Sequence, residues 1–175
     1  SAFKDVALSV LPRLITAAKA KLGVDEEIVI LTATSGDTGK AALEGFHDVE
    51  GTRIVVFYPD GGVSDVQKAQ MVTQAGGNVG VCAVRGNFDD AQTGVKNIFA
   101  DDEQNRWAAA AGARLSSANS INWGRLAPQI VYYVSAYCDL INQNKIKNGD
   151  IVNVCVPTGN FGNILAAYFA KEMGL

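Results

Sequence analysis

The sequence is poor in histidine and cysteine. One His and three Cys in 175 residues leave too few ligands, too widely scattered, for most zinc sites built on those side chains, so no metal centre is expected. Cys82, Cys138 and Cys155 form no CxxC pair and sit among apolar neighbours. That pattern reads as reduced, buried thiols of a cytoplasmic protein rather than disulfides. Positive charge is in slight deficit, with 15 Lys and Arg against 18 Asp and Glu, and a net −3 lacks the electrostatic footprint of a nucleic-acid binder. No apolar run approaches the ~20 residues of a membrane span, and Ser1 opens no signal peptide, so neither a membrane nor export is expected. With 19% charged and 48% hydrophobic residues the chain is not short of core material, which argues against disorder. Repeats and low-complexity stretches are absent.

What is present is a rhythm. Four apolar runs, 28–31, 54–58, Val79–Val84 and 151–156, are continuous rather than alternating, as strands of a parallel sheet covered on both faces are. The first three begin about 25 residues apart, the spacing of βα units with right-handed crossovers. Helical segments at 40–49 and 64–75 fill the gaps. A further helix is expected over 87–100, with Asn87 as N-cap and Phe88, Ala91, Val95, Ile98 and Phe99 facing inward. Residues 107–115 suit a short helix and another strand. A longer helix is expected over 128–142, with Ile130, Tyr133, Val134, Tyr137 and Ile141 on one face, followed by a polar linker over 142–149. The opening segment, 2–21, also reads helical, with Pro12 expected to kink it or end its first part. The fold class is α/β, a parallel sheet with flanking helices.

Ligands of open α/β sheets bind beyond the carboxyl ends of strands, so the loops there come first. The segment 31–40 gathers Thr34, Ser35 and Thr38 with Gly36 and Gly39 at a helix N-terminus, where unpaired N–H groups suit a carboxylate or phosphate. An ordinary capped turn accounts for it as well. It is no nucleotide loop: the Walker pattern needs Gly where Thr34 stands and Ser or Thr where Ala41 stands. A second glycine-rich loop, 156–163, precedes a helix running to about residue 173, and Gly159 and Gly162 let backbone amides approach a phosphate. It lacks GxGxxG, which leaves a dinucleotide fold without support, and a structural turn remains open. The segment 115–125 packs Ser116, Ser117, Asn119, Ser120 and Asn122 ahead of Arg125, a donor set for an anion or simply a capped loop. Lys4, at the start of the first helix, is either a solvated amine or one able to form a Schiff base. His47 has no evident partner, which makes a hydrolase triad improbable.

Together these stretches resemble the threonine synthases, pyridoxal-phosphate enzymes of the fold-type II, tryptophan synthase β-like superfamily. The matching segments are AFKDVAL (2–8), TATSGDTGKAALEGF (32–46), VFYPDGGVSDVQKAQM (56–71), RGNFDDAQTGVK (85–96), SSANSINWGR (116–125) and PTGNFGNILAAY (157–168), in the family's order. The resemblance implies that Lys4 carries the cofactor as a Schiff base and that Gly159, Asn160, Phe161, Gly162 and Asn163 hold its phosphate. It implies further that Ser35, Gly36 and Thr38 hold the substrate carboxylate, with Asp37 near the cofactor's phenolic oxygen. Many fold-type II relatives have Asn at that position, and Asp is similar to the threonine synthase branch. Ser116, Ser117, Asn119, Ser120, Asn122 and Arg125 resemble the region that receives the substrate phosphate.

The implied reaction converts O-phospho-L-homoserine and water into L-threonine and phosphate. A γ-phosphate leaves only after carbanions are stabilised at the α and then the β carbon, which requires an electron sink of the pyridoxal kind. Lys4 would shuttle the protons. The family's chains are more than twice this long, so the resemblance implies a fragment. Residues 1–125 would be a smaller domain with the lysine, and 126–175 a crossover helix and the first strand, loop and helix of a larger cofactor-binding domain. Such a piece alone is expected to be inactive. Another fold-type II lyase, such as a serine or threonine dehydratase, is the nearest alternative, but its substrates carry no phosphate for 116–125 to hold. A non-catalytic phospho-ligand binder would be expected to lack Lys4. The sequence does not set the oligomeric state.

Overall fold

A computed structural model describes residues 3–157, 159 and 161–175. It forms two compact units, Ser1–Asn119 and Ser120–Leu175.

The first unit is layered. Its helices are α1 (Phe3–Leu22), α2 (Asp37–Phe46), α3 (Asp65–Val72), α4 (Phe88–Ala100) and α5 (Asp102–Ala110), and its strands β1 (Glu27–Ala33), β2 (Thr52–Pro59), β3 (Val79–Val84) and β4 (Ala113–Ser117). The strands are parallel, in the order β3-β2-β1-β4. Register places Ile30 beside Ile54 and Ile54 beside Val79, so the apolar runs lie side by side. One face sends Ile28, Ile30, Ile54, Val56 and Tyr58 against Leu8 and Leu11 of α1, Leu43 and Phe46 of α2 and Met71 of α3. The other sends Leu31 and Ala33 against Ala91 and Val95 of α4, where Phe88, Ile98 and Phe99 also pack. Successive side chains of a strand point to opposite faces, so a strand covered on both has no polar alternation.

The helix ends follow local chemistry. Asn87 caps α4, accepting from the Asp90 N–H at 3.0 Å while Asp90 accepts from the Asn87 N–H at 2.8 Å. Pro12 does not end α1, which runs unbroken from Phe3 to Leu22. Burial of Ala7, Leu8, Leu11 and Pro12 offsets the missing hydrogen bond. The carbonyl deprived of the Pro12 N–H is that of Leu8, and it abuts Gly45 of α2, where any Cβ would collide with it.

The second unit is a pair of helices, α6 (Trp123–Asn142) and α7 (Gly162–Glu172). α6 begins five residues before Pro128 because Asn122 caps it, accepting from the Gly124 N–H at 2.8 Å. Trp123 meets Phe169 edge-to-face, with ring centroids 5.0 Å apart.

Two further expectations are corrected. Residues 151–156 form no strand: they have no pairing partner among the described residues, and Ile151 stands 94% exposed. A ladder needs a neighbour, and an apolar run supplies only one side of it. Cys82, Cys138 and Cys155 are free, as expected, but exposed rather than buried. Cys82 lies on β3, at the edge of the sheet, and Cys155 in the unpaired segment.

Candidate functional site

The strand order creates the site of the first unit. From β1 the chain moves outward through β2 to β3, then returns to place β4 on the other side of β1. The loops leaving β1 and β4 therefore diverge at their carboxyl ends, the switch point where open α/β sheets hold ligands. The 34–38 loop leaves β1 and residues 118–119 leave β4. Asn119 ties them together: its amide accepts from the Ala33 N–H at 3.1 Å and donates to the Ala33 carbonyl at 2.8 Å. The Ser117 hydroxyl accepts from the Asn119 N–H at 3.0 Å.

The 34–38 loop is built around a buried hydroxyl. Thr34 Oγ1 accepts from the Gly36 N–H at 2.9 Å and the Gly39 N–H at 2.8 Å, and donates to the Gly36 carbonyl at 3.1 Å. Gly36 sits at φ 142° and is the N-cap of α2; it has no side chain to cap the helix, and Thr34 Oγ1 serves the Gly39 N–H instead. Ser35 and Asp37 face solvent. Asp37 Oδ1 accepts from Gln67 Nε2 at 2.8 Å, which joins the loop to α3. Lys4, half-buried in the first turn of α1, lies with its Nζ 5.6 Å from the Phe3 ring centroid. Its neighbour Asp5 pairs with Lys40 of α2 at 3.9 Å, so the first turns of α1 and α2 are adjacent.

In the second unit the loop before α7 meets the start of α6. Phe161 is the N-cap of α7 in the left-handed region, φ 58°, and its own side chain makes no capping hydrogen bond. Gly162 lies against Ser120, so a Cβ there would stand 3.2 Å from that of Ser120. Asn163 turns its side chain toward α6: Tyr133 Oη donates to its Oδ1 at 2.6 Å, and its Nδ2 donates to Gln129 Oε1 at 3.1 Å. Gln129, buried, donates onward to the Arg125 carbonyl at 3.0 Å. Burial lowers the Arg125 guanidinium to about 10, with Tyr132 acting in the opposite sense. Burial also pushes the Tyr133 phenol above its usual value.

No family model matches the chain. Over 99% of its length it is 46% identical to threonine synthase-like 1 of Homo sapiens, of which it covers 24%. Over the same share it is 46% identical to the threonine synthase of Pseudomonas aeruginosa, of which it covers 34%. The chain is homologous to one stretch of the threonine synthases. The crystal structure of pyridoxal-phosphate-bound threonine synthase from Brucella melitensis superposes with a TM-score of 0.81 and 45% identity, over 99% of this chain and 35% of that one. The α/β architecture, a parallel sheet with flanking helices, is thus that of fold-type II threonine synthases. O-acetylserine sulfhydrylase isoform 3 from Entamoeba histolytica, at 15% identity and a TM-score of 0.63, shares the fold alone. The chain spans about a quarter to a third of the curated threonine synthase relatives it matches.

The residues singled out from sequence fall into two groups. Lys4, Ser35, Gly36, Asp37, Thr38, Ser116, Ser117 and Asn119 belong to the first unit. Ser120, Asn122, Arg125, Gly159, Phe161, Gly162 and Asn163 belong to the second, and Asn160 lies outside the described residues. Several side chains are engaged in shaping loops: Asn119 holds Ala33, Asn122 caps α6 and Asn163 bonds α6. Gln67, Gln129 and Tyr133 were not foreseen. Ser64 followed by Gln67 is a capping-box pattern, and Arg125, Gln129 and Tyr133 recur every fourth residue on one stripe of α6, so each left a local signal. His47 contacts Asp48 at 3.1 Å near the end of α2. Among the described residues no group of three His, Cys, Asp or Glu is placed to hold a metal, and no helix is long and apolar enough to cross a membrane.

Proposed function

We propose that this chain supplies the lysine-bearing and phosphate-binding segments of a pyridoxal-phosphate-dependent threonine synthase, which converts O-phospho-L-homoserine and water into L-threonine and phosphate. The observation that carries the reading is the 46% identity, over 99% of the chain, to a protein named threonine synthase. Residues 1–125 would then form the smaller domain and 126–175 the beginning of the larger one. Three free thiols suit a reducing, cytoplasmic setting.

The residues fit the cofactor. In the loop before α7, Gly159 is open, with nothing within 4 Å of where a Cβ would stand, and Phe161 is left-handed and puts no side-chain cap on the helix start. Such a turn leaves amides and the positive end of the helix dipole for a phosphate. Lys4 would hold the aldehyde, and Gly159, Asn160, Phe161, Gly162 and Asn163 the phosphate. When bound, the group supplies an electron sink for negative charge at the α and β carbons.

The remaining work falls to this chain. The Lys4 amine takes a proton from Cα and moves protons between carbon positions as the phosphate departs. Ser35, Gly36 and Thr38 hold the substrate carboxylate, and Asp37 stands beside the phenolic oxygen. Ser116, Ser120 and Arg125 receive the substrate phosphate, while Ser117, Asn119 and Asn122 shape the loops that carry them. A buried guanidinium with its pKa near 10 remains a cation at neutral pH, as phosphate binding requires.

The test uses the protein at the length of its relatives, incubated with O-phospho-L-homoserine. Equal release of L-threonine and phosphate is expected, together with an absorption band near the visible edge that Lys4→Ala removes. Wild-type protein without the band, or formation of 2-oxobutyrate from L-threonine with no phosphate released from O-phospho-L-homoserine, would overturn the reading.

A further inference from the structure

The segment 56–71 carries part of the family resemblance, yet no role falls to its polar residues. The structure gives one to Gln67. Ser64 Oγ accepts from the Gln67 N–H at 3.3 Å, so the hydroxyl proton is free to go elsewhere, and it goes to Gln67 Oε1 at 3.1 Å. The Ser64 N–H points at the same oxygen, at 3.4 Å. Two donors at one end fix which end of the amide is the carbonyl. The NH2 end is left to face Asp37, and it donates to Oδ1 at 2.8 Å. The backbone accommodates the contact: a Cβ at Gly36 would collide with the Gln67 amide, and Gly36 holds φ 142°.

We propose that Gln67 is a positioning residue that aims Asp37 and the 35–38 loop, with Asp37 held as a hydrogen-bond acceptor. The first turn of α3 presents an amide whose orientation is set from behind by Ser64, and this orientation admits only an accepting oxygen in front. The loop is thereby anchored at two points, by Thr34 from inside and by Gln67 from outside. What the loop then holds, the substrate carboxylate and the phenolic oxygen, rests on the function proposed above.

Substitution can separate this role from capping. Glu serves in a capping box as well as Gln does. Gln67→Glu therefore keeps the Ser64 bonds and α3, but presents an oxygen instead of an NH2 group to Asp37. Measured in the protein at the length of its relatives, this change is expected to leave the thermal midpoint nearly unaltered. Hydrogen exchange at the Gly36 and Gly39 amides is expected to quicken about tenfold, the scale of one lost bond to a charged group. KM for O-phospho-L-homoserine is expected to rise by a similar factor, with kcat changing less. Adding Asp37→Asn restores a donor–acceptor pair of reversed polarity and is expected to slow the exchange again, even where activity does not return. Exchange and KM both unchanged in Gln67→Glu would make Gln67 a cap only and overturn the proposal. So would exchange that quickens in Gln67→Glu and stays quick in the double variant. The exchange measurement needs no turnover, so an inactive wild-type protein would count against the proposed function and leave the Gln67 result readable.

Discussion

At the scale of single residues, Gly36 is the clearest case of backbone conformation dictating identity. Its φ of 142° and ψ of −89° lie where side chains are strained, and the Gln67 amide occupies the space a Cβ would need. Gly61 is the natural control, with φ 75° and nothing within 4 Å. Gly36→Ala is expected to lower unfolding stability by about 3 kcal/mol, combining backbone strain with a forced shift of Gln67. Gly61→Ala carries left-handed strain alone, about 1 kcal/mol. Urea denaturation of the two variants side by side checks the difference. The glycines of 31–40 were visible in the sequence as a cluster. Which of them is irreplaceable was not, because that depends on Gln67, thirty-one positions away along the chain.

Among elements, legibility follows how much of each signal is local. The runs at 28–31, 54–58 and Val79–Val84 became β1, β2 and β3 because strands sandwiched between helix layers need apolar residues at every position. β4, reading Ala-Arg-Leu-Ser-Ser, has little apolar content and is a strand because β1 lies beside it, with Ile30 opposite Ser116. Asn87 announced α4, whereas α6 starts five residues ahead of the expected 128, because Asn122 caps it and Pro128 sits inside the helix. The α6–α7 link through Tyr133, Gln129 and Asn163 joins residues about thirty apart, and no periodicity encodes it. It does have a testable pH signature. Burial raises the Tyr133 phenol above 10, so the folded state keeps this proton more firmly than the unfolded chain does. Its stabilisation is complete below about pH 10 and is lost as pH climbs through the folded value. Tyr133→Phe is expected to lower the thermal midpoint at pH 8 through the lost bond to Asn163, worth about 1 kcal/mol. The gap from wild type is expected to narrow above pH 10. Arg125 has a lowered pKa, so above about pH 10 the unfolded chain binds more protons; it favours folding as pH rises there in both proteins, and cancels in their difference.

For the whole molecule, the decisive feature is apolar surface. Ile151 is 94% exposed, Val154 55% and Val152 37%, in a segment with strand-like sequence and no partner strand among the described residues. An unpaired, uncharged, apolar segment with strand-forming sequence is a template for intermolecular pairing, as an open strand edge is. The 175-residue chain is therefore expected to self-associate, eluting well above its 18.5 kDa mass. Val152 and Val154, two residues apart, share a face when extended. Replacing both with Lys is expected to return the chain to a monomer in light scattering, since paired strands cannot bury two ammonium groups. The same replacements are expected to do the reverse in the protein at the length of its relatives. If 151–156 becomes an interior strand of a larger cofactor-binding domain there, two buried lysines would lower its thermal midpoint sharply or prevent folding. Opposite signs in the two lengths would show that this apolar run is a strand waiting for its sheet. Equal tolerance at both lengths would show that it is a surface segment, and would remove the basis for placing a larger domain around α7.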